Sequence, residues 1–320
     1  MTRPADTSGN GMRHGGEAGP GPDRGPDREP DRGPDRAAAP DGPAMTSFDE
    51  IYDRPDPRDF FRGLGRWRYR TPHHAQDVFR RLTAARRRAA ASGSPAVLDL
   101  CCSYGINAAL LNHDLTLDDL YAHYTSPRVA ALTTAELTER DRAFYAARRR
   151  PDAVPVIGLD PAAGAIAYAC SVGLLDEGFA VNLETEPAGA RLLAAVSPVG
   201  LITVTGGASF LSPRTFRPLL GAAREEVWVA AFVLRTGSYR TIADGLAPFG
   251  LITEKVAEPT YPQRRFTSAT EQRHAVDAVT ALGEDPRGKE DAGWFHTAFH
   301  LSRPAPDTTA TPLSTFLRDV

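Results

Sequence analysis

From residue 96 onward, short apolar runs alternate with helix-period segments, and this alternation constrains the fold more than any other feature of the chain. Strands that each feed a crossover helix pair as a parallel sheet with helices on both faces. The strand candidates are Ala96–Cys101, Val154–Asp160, Gly178–Leu183, Gly200–Thr205, Glu226–Leu234, Leu251–Glu258 and Trp294–Leu301. Helices are expected at about 106–111, 162–174, 188–196, 214–223, 239–249 and 269–282. Only one helix separates the last two strands, which points to an antiparallel final strand. The expected fold class is therefore α/β: a doubly wound, seven-stranded, mostly parallel sheet.

One crossover is too long. Roughly 50 residues separate Gly105 from Asp160, where about 20 suffice. Thr116-Leu117-Asp118-Asp119 and Thr133-Thr134-Ala135-Glu136 each read as a capping box, so two extra helices are placed in an insert at 112–152. It leaves the carboxyl edge of the first strand, where it can help roof a ligand crevice.

Residues 1–44 are Gly, Pro, Asp and Arg with a repeated Pro-Asp-Arg, and they read as a disordered tail. Met45 offers a second possible start. Residues 45–92, with Ile51, Tyr52, Phe60, Phe61, Leu64, Trp67, Tyr69, Val78, Phe79 and Leu82 among many charges, read as a helical cap. The main domain is expected over 93–304, with a C-terminal tail at 305–320. A net charge of −3 supplies no basic field for a polyanion, so nucleic acid is not expected as a partner and a small-molecule substrate is. Cys101, Cys102 and Cys170 form neither a metal spacing nor a disulfide framework, which suggests reduced thiols and a cytoplasmic protein. No stretch approaches a membrane span.

The run Val97-Leu98-Asp99-Leu100-Cys101-Cys102-Ser103-Tyr104-Gly105 resembles the first motif of class I, Rossmann-like S-adenosylmethionine-dependent methyltransferases. That family places an acid and a glycine-rich turn after the first strand. Asp99 takes the acidic position, and Cys101, Ser103 and Gly105 take the three usual glycine positions. The missing first two glycines count against a dinucleotide reading, which needs them at the pyrophosphate. The resemblance extends to Asp160, at the end of the second strand, as the ribose acid, and to Asn182 and Leu183, after the third, as adenine contacts. It implies S-adenosylmethionine as cofactor, held by Asp99, Cys101, Ser103, Tyr104, Gly105, Asp160, Asn182 and Leu183. A helix N-cap remains the other reading of Asp160.

No catalytic base is identifiable. His73-His74 reads as a base, a substrate contact or a solvated pair. Tyr52, Trp67, Tyr69 and Tyr104 read as aromatic faces for a sulfonium or as core. Gly206-Gly207 can let the backbone close on the methionine moiety or form a plain loop. His296 and His300 share a strand face with Trp294 but have no ligand partners in sequence, and no metal is expected. The implied activity is methyl transfer to a small molecule. Cyclisation of S-adenosylmethionine to azetidine-2-carboxylate, as in some methyltransferase-like enzymes, and a non-catalytic binding module are kept as alternatives.

Overall fold

The structure, a computed structural model, describes residues 45–89 and 95–317. The tail read at 1–44 lies outside them. The chain runs α1 (Asp49–Tyr52), α2 (Arg58–Gly65), α3 (Thr71–Ala89), β1 (Ala96–Leu100), α4 (Ile106–Asn112), α5 (Leu117–Thr125), α6 (Pro127–Ala130), α7 (Thr134–Ala146) and β2 (Val156–Leu159). It continues through α8 (Ala163–Ser171), β3 (Glu177–Phe179), α9 (Ala190–Ala195), β4 (Val199–Thr205), α10 (Pro213–Ala222), β5 (Trp228–Leu234) and α11 (Arg240–Leu246). The last elements are β6 (Leu251–Lys255), β7 (Tyr261–Arg265), α12 (Ala269–Ala281), β8 (Trp294–Pro304) and α13 (Ala305–Ala310).

The sheet order is β3-β2-β1-β4-β5-β8-β6, with β7 also paired to β8. Strands β1 to β5 are parallel, and β8 runs antiparallel to β5, β6 and β7. All seven expected strands form, and β7 is an eighth. Its sequence, Tyr-Pro-Gln-Arg-Arg, has no apolar run, because it covers only the first residues of β8 and buries Tyr261, Gln263 and Arg264 rather than a row of aliphatics. β3 ends at Phe179, four residues short of the expected strand, so Asn182 and Leu183 lie beyond it.

β1, β4 and β5 are buried along their whole length, which explains their unbroken apolar runs. Alternate residues serve two cores. Val97, Leu201 and Ala230 face one with α3 and α4, and Leu98, Ile202 and Val229 face the other with α9 to α11. On α3, Ala75, Val78, Phe79 and Leu82 recur at helical spacing and are at most 2% exposed. Each such aliphatic or aromatic side chain contributes about 1.5–3 kcal/mol. The helical cap thus shares the sheet's core.

Both insert helices start where the capping boxes placed them. Thr116 and Asp119 exchange side-chain and backbone bonds at the start of α5, and Thr133 and Glu136 do so at α7. Four-residue α6 sits between them. The segment expected as a C-terminal tail is anchored as far as it is described: Phe316 is 2% exposed, with its ring on Trp228 and the Arg303 guanidinium over it. Its one aromatic residue supplied too little pattern to read.

Candidate functional site

The strand order reverses between β1 and β4, and in a doubly wound sheet the ligand crevice lies outside the carboxyl ends of the strands at that point. The turn after β1 has the backbone that a glycine-rich turn would have. Cys101 has φ 55°, Ser103 φ 49° and Gly105 φ 76°, so all three glycine positions are left-handed. For an L-residue this costs about 1–2 kcal/mol, and such strain concentrates at functional sites. At Gly105 a Cβ would also be crowded, lying 3.3 Å from Ala169 and Leu174.

The two cysteines fit because glycines face them. A Cβ on Gly207, after β4, would lie 2.5 Å from Cys101 Cβ and Sγ, and one on Gly158 would lie 2.8 Å from Cys102 Sγ. The side chain added on the β1 turn is matched by one removed from its neighbour. Gly206, with φ 75°, brings that backbone round, so Gly206-Gly207 is a close approach as well as a loop.

Asp99 is 1% exposed. Its Oδ1 accepts from Asn107 Nδ2 at 2.9 Å and Thr203 Oγ1 at 2.7 Å, while Oδ2 has no partner among the described residues. Burial pushes its carboxyl up to about 7, against the two hydrogen bonds, and the charge of Asp160 adds to the rise. A buried acceptor with one oxygen unpaired is suited to a cationic partner. The buried Ser103 hydroxyl is likewise unpaired. These orphaned atoms and the left-handed turn fit the amino-acid end of S-adenosylmethionine. Asn107, Thr203 and Thr205 complete the polar cluster, and sequence reading missed them because nothing marks a threonine in a buried strand as a carboxylate's partner.

Asp160 is not the N-cap of α8, which is Ala162, yet it holds the approach to that helix. Its Oδ1 accepts from Ala162 N at 2.9 Å ahead of α8, and its Oδ2 from Ser103 N at 2.9 Å, tying the β1 turn to the end of β2. Burial raises its carboxyl. Asn182 Oδ1 accepts from Glu184 N at 3.0 Å in a local turn, and Leu183, 3% exposed, belongs to the core. Glu184 instead clamps the start of α10, accepting from Ser212 N, Ser212 Oγ and Thr215 Oγ1.

Tyr104 also differs from its expected role. Its ring is 1% exposed, and its hydroxyl accepts from Arg54 N at 2.9 Å and reaches the carbonyls of Ile51 and Arg54. It holds the N-terminal strap rather than facing a cofactor. That strap is pinned at both ends: Thr46 N donates to Glu271 Oε1, and Asp53 Oδ1 accepts from Gly164 N. Between the pins, Tyr52 feels the charges of Asp160 and Arg264, and burial pushes its hydroxyl up to about 12. Tyr69 places its hydroxyl 3.1 Å from where a Cβ on Gly206 would be. Tyr52 and Tyr69 both meet Phe60 edge-on, so an aromatic group from the cap covers the switch point.

His74, at the start of α3, lies against Tyr261 with its Nε2 buried and unpaired, and burial lowers the ring to about 3. His296 bonds Thr260, while His300 meets Tyr239 at a tilt, with ring centroids 4.7 Å apart. Among the described residues no group of three His, Cys, Asp or Glu could hold a metal, and no helix is long and apolar enough to cross a membrane.

No family model matches the chain, and no curated protein does. Solved structures similar to it include the plantazolicin methyltransferase BpumL in complex with SAH, at 9% identity and TM-score 0.40 over 80% of this chain and 93% of that one. Magnesium protoporphyrin IX methyltransferase from Synechocystis PCC 6803 with bound SAM matches at 9% identity and TM-score 0.34, over 72% of this chain and 80% of its own. An O-methyltransferase from a trans-AT PKS multienzyme of Brevibacillus brevis, in complex with S-adenosyl-L-homocysteine, matches at 11% and 0.34, over 72% and 71%. On its own strand order, with β8 reversed between β5 and β6, the sheet has the class I, Rossmann-like methyltransferase fold.

Proposed function

We propose that this protein binds S-adenosylmethionine at the β1–β4 switch point and transfers its methyl group to a small-molecule acceptor. The observation that carries the reading is the β1 turn: three left-handed residues in the family's glycine positions, beside a buried carboxylate with one oxygen unpaired. S-adenosylmethionine supplies an electrophilic methyl carbon on a sulfonium. The chain's own residues bind, orient and exclude water, which is the main protein contribution to an in-line displacement.

Asp99 Oδ2 is assigned to the ammonium, and the backbone of Ser103 to Gly105 to the close approach. Asp160 keeps lone pairs on both oxygens for the ribose hydroxyls while its existing bonds fix its direction. Asn182 has its amide nitrogen left for the adenine edge. Tyr52 and Tyr69 supply apolar, electron-rich walls. Cys101 is neutral here, because burial drives its thiol well above the usual range, so it shapes the turn without acting as a nucleophile.

Incubation with S-adenosylmethionine, alone and with candidate acceptors, followed by chromatography, tests the reaction. Adenosylhomocysteine formed only when an acceptor is present is the expected result. Methylthioadenosine formed without acceptor would replace transfer by cyclisation, and failure to bind the cofactor at all would leave a non-catalytic module.

A further inference from the structure

A hollow of about 550 Å³ opens between the cap and the insert, within the size range of small-molecule sites. Tyr69 and Tyr121 give it aromatic walls, with the buried Phe61 ring edge-on behind Tyr121 at 5.1 Å. Tyr69 is shared with the switch point, since its hydroxyl stands beside Gly206. The charged lining is one-sided: Arg62, Arg68 and Arg70 against Asp118.

Arginine is abundant in this chain, so the number alone decides little. Their convergence on one hollow decides more. Several arginines elsewhere are ion-paired: Arg58 with Asp56, Arg150 with Asp114 and Asp152, Arg235 with Glu290, Arg264 with Glu271 and Arg303 with Glu254. Among the described residues, Arg62, Arg68 and Arg70 have no carboxylate within ion-pair distance, and Arg70 Nε is buried without any hydrogen-bond partner.

Arg68 adds a second, independent observation. Tyr69 N returns to Leu64 O at 3.2 Å and Arg68 N to Gly65 O at 3.1 Å, closing a Schellman cap on α2 with Arg68 at its left-handed position, φ 56°. Glycine is the residue that fills this position without strain. The cap explains the backbone and leaves the arginine unexplained. Of the described residues, the non-glycines with left-handed φ are Cys101, Ser103 and Arg68; two shape the cofactor turn and the third lines this hollow.

We infer that this hollow is the acceptor site and that it takes a small molecule with a planar, apolar body and an oxyanion, a carboxylate or a phosphate. Arg62, Arg68 and Arg70 receive the anion as charge-assisted donors. Tyr69 and Tyr121 hold the body, with the end opposite the anion directed past Tyr69 to Gly206. The inference rests on the methyl-transfer reading for the word acceptor, and on the hollow alone for the anion.

Binding of benzoate, phenyl phosphate and neutral benzyl alcohol is followed by NMR titration of the full chain, with adenosylhomocysteine titrated separately on the same preparation. Both anions are expected to bind at least about ten-fold tighter than benzyl alcohol. Arg68→Gly and Arg70→Gln are each expected to lose about ten-fold for the anions. Arg68→Gly should meanwhile melt no lower than the parent and keep its affinity for adenosylhomocysteine, which separates a lost ligand contact from a lost fold. Tighter binding of phenyl phosphate than of benzoate assigns the site to phosphate esters, and the reverse order assigns it to carboxylates. Equal binding of benzyl alcohol, or anion affinity undiminished in both variants, overturns the inference. Adenosylhomocysteine binding without anion binding overturns it while leaving methyl transfer in place; the opposite pair of results supports the anion site and removes the methyl-transfer reading.

Discussion

Cys101 and Gly207 act as one unit. A Cβ on Gly207 would sit 2.5 Å from the cysteine, so Gly207→Ala forces overpacking and is expected to cost about 1–3 kcal/mol in chemical denaturation. Adding Cys101→Gly should restore most of that loss, since it removes the clashing thiol and relieves the left-handed strain; a double variant as unstable as Gly207→Ala would show that the two do not share the space. Asp99 carries the pH dependence. Its folded carboxyl stands near 7, above the unfolded value of about 3.9, so its contribution to stability is complete below about pH 4 and declines as pH rises through about 7. Asp99→Asn removes this slope while keeping an acceptor for Asn107 and Thr203. Its melting temperature relative to the parent should therefore rise between about pH 5 and about pH 8, and a flat difference would contradict the assignment. At this scale order along the chain pointed to Asp99, Asp160 and the three turn residues, and the fold brings them to one place. That order could not show that Tyr104 turns to Arg54 or that Leu183 joins the core, because a side chain's direction depends on packing from segments far away in sequence.

Among elements, the strap around α1 is the one whose role no periodicity announces. It has few buried residues of its own and stays in place through polar pins to Glu271, Tyr104 and Gly164. Tyr104→Phe leaves Arg54 N without its acceptor, which is expected to cost about 1–2 kcal/mol and to speed chymotryptic cleavage after Tyr52 ahead of the rest of the chain. Cleavage that stays as slow as in the parent would remove the strap's anchor from Tyr104. The insert helices were legible because capping boxes are local chemistry, complete within four residues. β7 and the α13 segment were not, since each is stabilised by the strand or aromatic it covers rather than by a pattern of its own.

For the whole molecule, the alternation of strands and helices determined the class, and pairing determined what alternation could not: that β8 slots between β5 and β6 and carries β7 along its first residues. The resulting switch point gathers residues from β1, β2, β4 and the strap around one buried carboxylate, and the reading of the protein as a binder of S-adenosylmethionine depends on that gathering. Asp160 is a poor probe of it, because its carboxylate also holds Ser103 and Ala162, and its removal would disturb the turn itself. Asp99→Asn is nearly isosteric; it removes the charge and turns one carboxylate oxygen into an amide nitrogen. Calorimetric titration of adenosylhomocysteine into the parent and into Asp99→Asn is the most direct test. A single saturable site in the parent, weakened about ten-fold or more in the variant, is the predicted result; no binding by the folded parent, or equal affinity in the two proteins, would contradict the account.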